Sequence, residues 1–361
     1  MRPLDILVLP GDGIGPEITA AAMHVLTAAE EPFSLGLAFE QVDIGFSALK
    51  NTGTTLPAQV LEKARRADGV ILGPISHMDY PPRDQGGINV SAALRSGLDL
   101  YANIRPARSR PGLSKIGIEM DLVIMRENTE GFYADRNMYA GSGEFMPTAD
   151  VALSVRKITA FACNRIARRA FELARRRRKK VTAVHKANNL ILTDGLFLTE
   201  VRKVAGEFPD VVLEEVIVDA MAALLVRHPD TFDVVVTTNL YGDILSDLAS
   251  ELSGSLGLAG SLNAGDVSAA AQAQHGSAPQ IAGKDQANPT SMILSTAMLL
   301  NWLGRRSGRE NLTAAGRAIE KAVDATLDHP QRRTVDLGGP LGTAAFAKHV
   351  AESLSHSSAD S

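Results

Sequence analysis

The chain has 361 residues, is 45% hydrophobic and 22% charged, and carries a formal charge of −4. That is a globular composition long enough for two lobes, and its slight acidity argues against a nucleic-acid partner. No run approaches the roughly 20 apolar residues of a membrane helix, and the single cysteine, Cys163, excludes an internal disulfide framework and fits a reducing, cytoplasmic setting.

"MRPLDILVLPGDG" enters a predicted strand at once, which leaves no room for a signal peptide. The glycine-rich turn "LPGDGIGPEI" joins that strand to a predicted helix, "PEITAAAMHVLTAAEE". Its spacing is G-x-G-x-G, not the G-x-G-x-x-G of a dinucleotide fingerprint, and no acidic residue ends a second strand in the expected place. The turn is either a tight strand-to-helix connection or a backbone surface approaching a nucleotide. Apolar runs predict strands at "DGVILGP", "DLVIM", "VTAVHK", "EEVIVD" and "FDVVVTTN", and helices at "DGLFLTEVRKVAGEF" and "TSMILSTAMLLNWLG". The alternation predicts an α/β architecture around a buried, mostly parallel sheet. Cys163 falls in "ITAFACNRIARRAFELA", whose spacing predicts an amphipathic helix and a buried structural thiol. The basic run "ARRRRKK" reads as a helix C-terminus whose cations complement the dipole, with a nucleic-acid patch as the alternative. "SGSLGLAGSLNAGDVSAAAQAQHGSAP" reads as a long functional or mobile loop, and the tail "SHSSADS" as frayed.

Chemistry-bearing residues gather at strand ends. "TTNLYGDILSD" sets Asp243 and Asp247 four positions apart, on one face of a helix, where they are either solvated or bridged by a cation. Asp219 ends "EEVIV" in the same way. Three such carboxylates suit Mg²⁺ or Mn²⁺, whereas one cysteine and no paired histidine motif make zinc a poor fit. Arg95, Arg105 and Arg126 are either surface ion-pair partners or a clamp for a polyanionic substrate, since guanidinium forks match carboxylates bidentately. Tyr133 and Lys186 are plausible proton handlers. "HGSAPQIAGKDQANP" is either a plain Gly/Pro loop or a close backbone approach to a flat ligand, with Asn288 able to read an adenine edge.

Taken together, "GDGIGPEI", "LDLYANIRPARS", "RENTEGFY", "HKANNL", "VDAMAALL", "TTNLYGDILSD" and "HGSAPQIAG…ANPT" resemble, in order, the metal-dependent β-decarboxylating dehydrogenases of the isocitrate/isopropylmalate family. The resemblance spans roughly residues 4 to 350 and lies nearest the homoisocitrate/isocitrate branch. It implies an isopropylmalate dehydrogenase-like two-lobed fold rather than a Rossmann fold, with residues 1–100 and 254–361 in a cofactor-side lobe and 101–253 in a central lobe carrying the dimer contact. Arg95, Arg105 and Arg126 would hold the malate carboxylates. Asp243, Asp247 and a neighbouring subunit's Asp219 would hold the cation. Lys186, also from the neighbour, would take the hydroxyl proton, and Tyr133 would protonate the enol carbon after CO₂ leaves. Gly73, Pro74, Ile75, His275, Gly276, Ser277, Ala278, Pro279, Gln280, Ile281 and Asn288 would face the cofactor. The implied protein is an obligate homodimer with shared sites, acting on a small hydroxy di- or tricarboxylate, without nucleic-acid or membrane partners.

Some positions depart from the family pattern. Gln280 stands where NAD-using members carry aspartate, and it offers no cation to a 2′-phosphate, so NAD is expected over NADP. Gln272 replaces a glutamate expected near the nicotinamide. Before Arg95, "GGINVSAALR" presents Asn89, Ser91 and Ala92 where isopropylmalate enzymes present leucines, which predicts a polar or small β-substituent on the substrate. 3-Isopropylmalate and tartrate/D-malate dehydrogenases are the alternatives within the family. A non-catalytic regulatory subunit is the alternative outside catalysis, with the two glutamines its only support.

Overall fold

The computed structural model describes residues 2–133, 138 and 141–357, with side chains described as far as Leu354. In chain order the regular elements begin β1 (Leu4–Leu9), α1 (Gly15–Phe33), β2 (Leu37–Gln41), α2 (Gly45–Thr52), α3 (Ala58–Arg66), β3 (Gly69–Leu72) and α4 (Val90–Gly97). There follow β4 (Ala102–Arg108), β5 (Asp121–Glu127), β6 (Glu144–Thr148), β7 (Val151–Ser154), α5 (Ala160–Ala174), β8 (Lys180–His185) and α6 (Thr193–Ala205). The remainder comprises β9 (Val212–Ile217), α7 (Val218–Arg227), β10 (Val234–Thr237), α8 (Asn239–Ser253), β11 (Leu262–Ala264), β12 (Ala269–Gln272), α9 (Thr290–Ser307), α10 (Glu310–Leu327) and α11 (Thr343–Ser357).

The chain divides into two compact units. The first comprises Met1–Leu98, Leu256–Leu262 and Asp266–Ser361. Its strands lie in the order β2-β1-β3-β12, and every pairing is parallel. β3 is buried at all its positions, as a strand covered by helices on both faces must be. The second unit comprises Asp99–Ser255 and Asn263–Gly265. There β5, β10, β8 and β9 run parallel, and β4 joins β5 antiparallel, so the sheet is mixed but mostly parallel.

Alternation along these strands builds two cores in the second unit. Val123, Met125, Val181, Ala183, Val234 and Val236 point to one face and pack with Phe171 of α5 and Phe197 of α6. Their neighbours Leu122, Ile124, Val184 and Val235 point to the other face and meet Met221, Leu225 and Leu245 of α7 and α8. Phe171 is fully buried, and Phe171→Ala should cost about 3–5 kcal/mol, read from the midpoint of a denaturant titration. Cys163 is buried in the same face, and burial raises its thiol well above the ordinary range. It should resist a disulfide reagent in the native protein and react at once after unfolding.

The long segment read as a loop contains two strands, β11 and β12. Alanine is a poor strand former, which hides the AAAQ of β12 from a propensity reading; what holds it is burial beside β3. Of the tail, α11 continues to Ser357, and residues 358–361 lie outside the described residues. The basic run is internal scaffolding. Arg175 pairs with Asp210 at 2.7 Å, Arg177 with Asp233 at 2.7 Å and Asp121 at 2.9 Å, and Lys180 with Glu214 at 3.0 Å. No described helix is long and apolar enough to cross a membrane.

Candidate active site

In the second unit, the first turns of α8 organise the charged residues. β10 delivers the chain to Asn239, which is fully buried. Asn239 Oδ1 accepts from Arg126 Nε at 2.9 Å and Nη2 at 2.7 Å, while its Nδ2 donates to the Glu130 carbonyl at 2.9 Å. One carboxamide therefore ties Arg126, at the end of β5, to the turn leading to Tyr133. Gly242 passes so close to Arg126 that a Cβ on it would sit 2.6 Å from the arginine Cβ and Cγ. Arg126 Nη1 donates to Asp243. Arg105, from β4, donates to Ser246 at 2.7 Å and to Asp247 at 3.1 Å, and lies 3.3 Å from Asp243.

Two aspartates and two arginines thus share one place, as helical spacing predicted for the aspartates. Burial, reinforced by the neighbouring Arg126, pushes Arg105 down to about 10, with Asp243 and Asp247 opposing. The arginines are almost fully buried, whereas the Asp243 and Asp247 side chains are 35% and 50% exposed. Carboxylates open on one side and backed by cations on the other can turn their outer oxygens to a hard cation.

The turn before Tyr133 is held by Glu127, whose carboxylate accepts from the Thr129 and Glu130 amides at 2.8 Å each. Gly131, at φ +84°, bridges to Lys157, and Tyr133 follows half-buried.

Asp219 and Lys186 lie elsewhere in this unit. Lys186 follows β8 and donates to Asp219, in the first turn of α7, at 2.5 Å. That hydrogen bond holds the Asp219 carboxyl below its ordinary value. Among the described residues no three His, Cys, Asp or Glu side chains are placed to hold one ion, so within a single chain Asp219 does not join Asp243 and Asp247. Sequence reading missed the support behind Lys186. Its amide donates to the fully buried Asp194 at 2.5 Å, and Asp194 is paired with Arg156.

In the first unit the glycine turn locks together the segments expected to face a cofactor. Asp12 N donates to the Pro74 carbonyl and Ile14 N to the Ser277 carbonyl, each at 2.8 Å. A Cβ on Gly13, at φ +57°, would fall 2.0 Å from the Ser277 oxygen. Ser76 and Ser277 share a hydrogen bond at 2.7 Å. The buried Asp12 carboxylate accepts from Phe46 N at 2.8 Å, Ser76 N at 3.0 Å and the Tyr80 hydroxyl. The turn is therefore a backbone clamp, and its glycines are there for close approach.

His275 gives the hydrogen-bonding chemistry of this surface. Its Nδ1 lies 3.0 Å from the Gly276 carbonyl, an acceptor, so in the neutral ring Nδ1 carries the proton. Nε2 is then an acceptor; it is buried with no hydrogen-bond partner among the described residues. An amino or hydroxyl group of a nucleotide would satisfy it, so these residues fit a nicotinamide dinucleotide. Burial holds the ring below its ordinary value. A folded value below the unfolded one stabilises the protein above about pH 6.5, a contribution lost as pH falls through the folded value. The stability difference between the wild type and His275→Asn should therefore shrink from pH 7.5 to pH 5.5 in denaturant titrations.

Gly73, Pro74 and Ile75 leave the end of β3, and Gly276, Ser277, Ala278, Pro279, Gln280 and Ile281 follow His275, with Gln280 exposed. Asn288 is less available than its amide suggested: it donates to Asp336 and accepts from the Thr290 amide, each at 3.0 Å. Asn89 is the N-cap of α4 and accepts from Ala92 N at 3.0 Å. Ser91 and Arg95 follow on that helix and both reach Gln272, at 3.1 and 3.4 Å.

A family model described as isocitrate/isopropylmalate dehydrogenase matches residues 5–353. The chain belongs to that family. The dehydrogenase is 42% identical to the 3-isopropylmalate dehydrogenase of Methanothermobacter thermautotrophicus, over 98% of this chain and 99% of that one. It is 44% identical to the isocitrate/homoisocitrate dehydrogenase of Thermus thermophilus, over 97% and 98% of the two chains. The crystal structure of isocitrate dehydrogenase from Methylococcus capsulatus superposes with a TM-score of 0.86 at 41% identity, covering 97% of this dehydrogenase and 99% of that chain. The protein is accordingly a decarboxylating dehydrogenase with the mixed α/β fold of that family.

Proposed function

We propose that the dehydrogenase carries out NAD- and Mg²⁺- or Mn²⁺-dependent oxidative decarboxylation of a D-malate bearing a polar or small β-substituent, yielding a 2-oxo acid and CO₂. The observation that carries this reading is the arrangement on α8: outward-facing Asp243 and Asp247 backed by buried Arg105 and Arg126. A small hydroxy acid with adjacent carboxylates matches such a set, its anionic groups meeting arginines and its hydroxyl facing the acidic oxygens.

Bound between those aspartates, the cation would supply Lewis acidity at the substrate hydroxyl, while the nicotinamide would accept the hydride. Arg105 and Arg126 orient two carboxylates. Lys186 takes the hydroxyl proton, its backbone fixed by Asp194. Tyr133 returns a proton to the carbon that has lost CO₂.

A single chain supplies two of the cation's carboxylates, and Asp219 lies apart with Lys186. This supports a homodimer in which each chain lends Asp219 and Lys186 to the other's site. Ile191 and Leu192, just beyond Lys186, are 71% and 85% exposed, and the β6–β7 hairpin shows Phe145, Met146 and Leu153, apolar surface suited to such an interface. NAD is favoured because Gln280 brings no cation to a 2′-phosphate, and the family typically uses NAD and a divalent metal.

The reading is tested by following cofactor reduction and CO₂ release from D-malate and its β-substituted analogues. Both should require Mg²⁺ or Mn²⁺ and stop with EDTA, with NAD preferred over NADP. Turnover unaffected by chelation would refute it.

A further inference from the structure

The side chain of Lys186 leaves the backbone in a direction set by the two peptide units that flank its Cα. The unit before it is held by Asp194, which accepts from Lys186 N at 2.5 Å. The unit after it is held at both ends. Its carbonyl, that of Lys186, accepts from Asn189 N at 3.0 Å and Leu190 N at 2.8 Å. Its N–H, that of Ala187, donates to Nδ1 of His185, the last residue of β8, at 3.0 Å. All of these groups lie in the second unit. A backbone amide can only donate, so His185 Nδ1 must keep its lone pair, and in the neutral ring the proton sits on Nε2. His185 is half-buried, and burial holds it below its ordinary value, with Glu215 on β9 and Asp194 on α6 opposing and Arg202 on α6 reinforcing. The ring is therefore neutral, and an acceptor, near pH 7.

We infer that His185 is a positioning residue for Lys186: by gripping the peptide unit that follows the lysine, it fixes the direction in which the ammonium-bearing chain points. The inference rests on the proposed function, in which Lys186 takes the hydroxyl proton. With only two soft dihedrals at Lys186, holding both flanking peptide planes determines where Cβ goes. If the His185 contact is lost, the second plane is free to rotate, and a base misplaced by an ångström can cost about a hundredfold.

The test is single-turnover NADH formation from a D-malate substrate with Mn²⁺, in substitutions of His185 made with and without the Lys186 side chain. His185→Phe keeps a ring but has no acceptor, and should slow the step about ten- to hundredfold. His185→Asn keeps an acceptor that can reach the amide two residues on, and should stay within about threefold of the wild type. In a Lys186→Ala background, His185→Phe should cost less than about twofold, because nothing remains for it to aim. Should His185→Phe fail to fold, His185→Leu takes its place with the same expectations. A His185→Phe rate equal to that of the wild type overturns the inference and leaves the reaction class standing. So does an equal loss with and without the Lys186 side chain, which a purely structural role would give, or a His185→Asn variant as slow as His185→Phe. Full metal-dependent turnover in Lys186→Ala, or none in the wild type, overturns the proposed function and this inference with it.

Discussion

Asp243→Asn should lower metal-dependent turnover by about a thousandfold or more, because the residue has two charged duties and the amide performs neither well. In the proposed reading its carboxylate is, with that of Asp247, one of the two that hold the cation, and transition-state stabilisation by a bound cation is typically worth several kcal/mol. It also stands against Arg126 and within 3.3 Å of Arg105. Arg105 is nearly buried and already pushed down to about 10 by burial and by Arg126. Without Asp243 the two guanidiniums lose a shared counter-charge, so the variant should also melt at lower temperature. Mn²⁺ titration followed by electron paramagnetic resonance separates the effects: a structural role alone would lower the melting temperature and leave ion affinity intact.

Gly242→Ala is the second large effect, although it removes no charge and touches no substrate. The new methyl group would lie 2.6 Å from Arg126 Cβ and Cγ, closer than real Cβ contacts come. Asn239 grips the guanidinium from the same helix, so α8 and β5 must separate or Arg126 must abandon its rotamer. A misplacement of an ångström at an orienting group can cost about a hundredfold. The loss should fall on kcat/KM for the carboxylic acid, with KM for NAD unchanged. A variant with wild-type kcat/KM would show that Arg126 has room to give.

Much of this was readable in the sequence, for a physical reason. Strands buried on both faces must be runs such as "VVVT" and "DLVIM", and the ends of such strands are visible in the sequence, so the positions of Arg126, Lys186 and Asp219 at or just past strand ends are legible there. Asp243 and Asp247 are legible because helical spacing is local. What escaped was non-local. Asn239 holding Arg126 across 113 positions, and Arg156 meeting Asp194 across 38, have no spacing signature. The clamp of the glycine turn on Pro74 and Ser277 likewise depends on backbone from distant loops. β12 escaped because its alanines owe their strand to burial beside β3, and the availability of Asn288 was overestimated because Asp336 lies 48 positions further on.

Co-expression of two inactive variants, Asp247→Asn and Asp219→Asn, tests most directly whether two chains build one site. Random pairing makes about half the dimers mixed, and each mixed dimer holds one site with both aspartates intact and one with neither, so about a quarter of wild-type activity should return. Activity no higher than that of the separate variants would contradict the shared site.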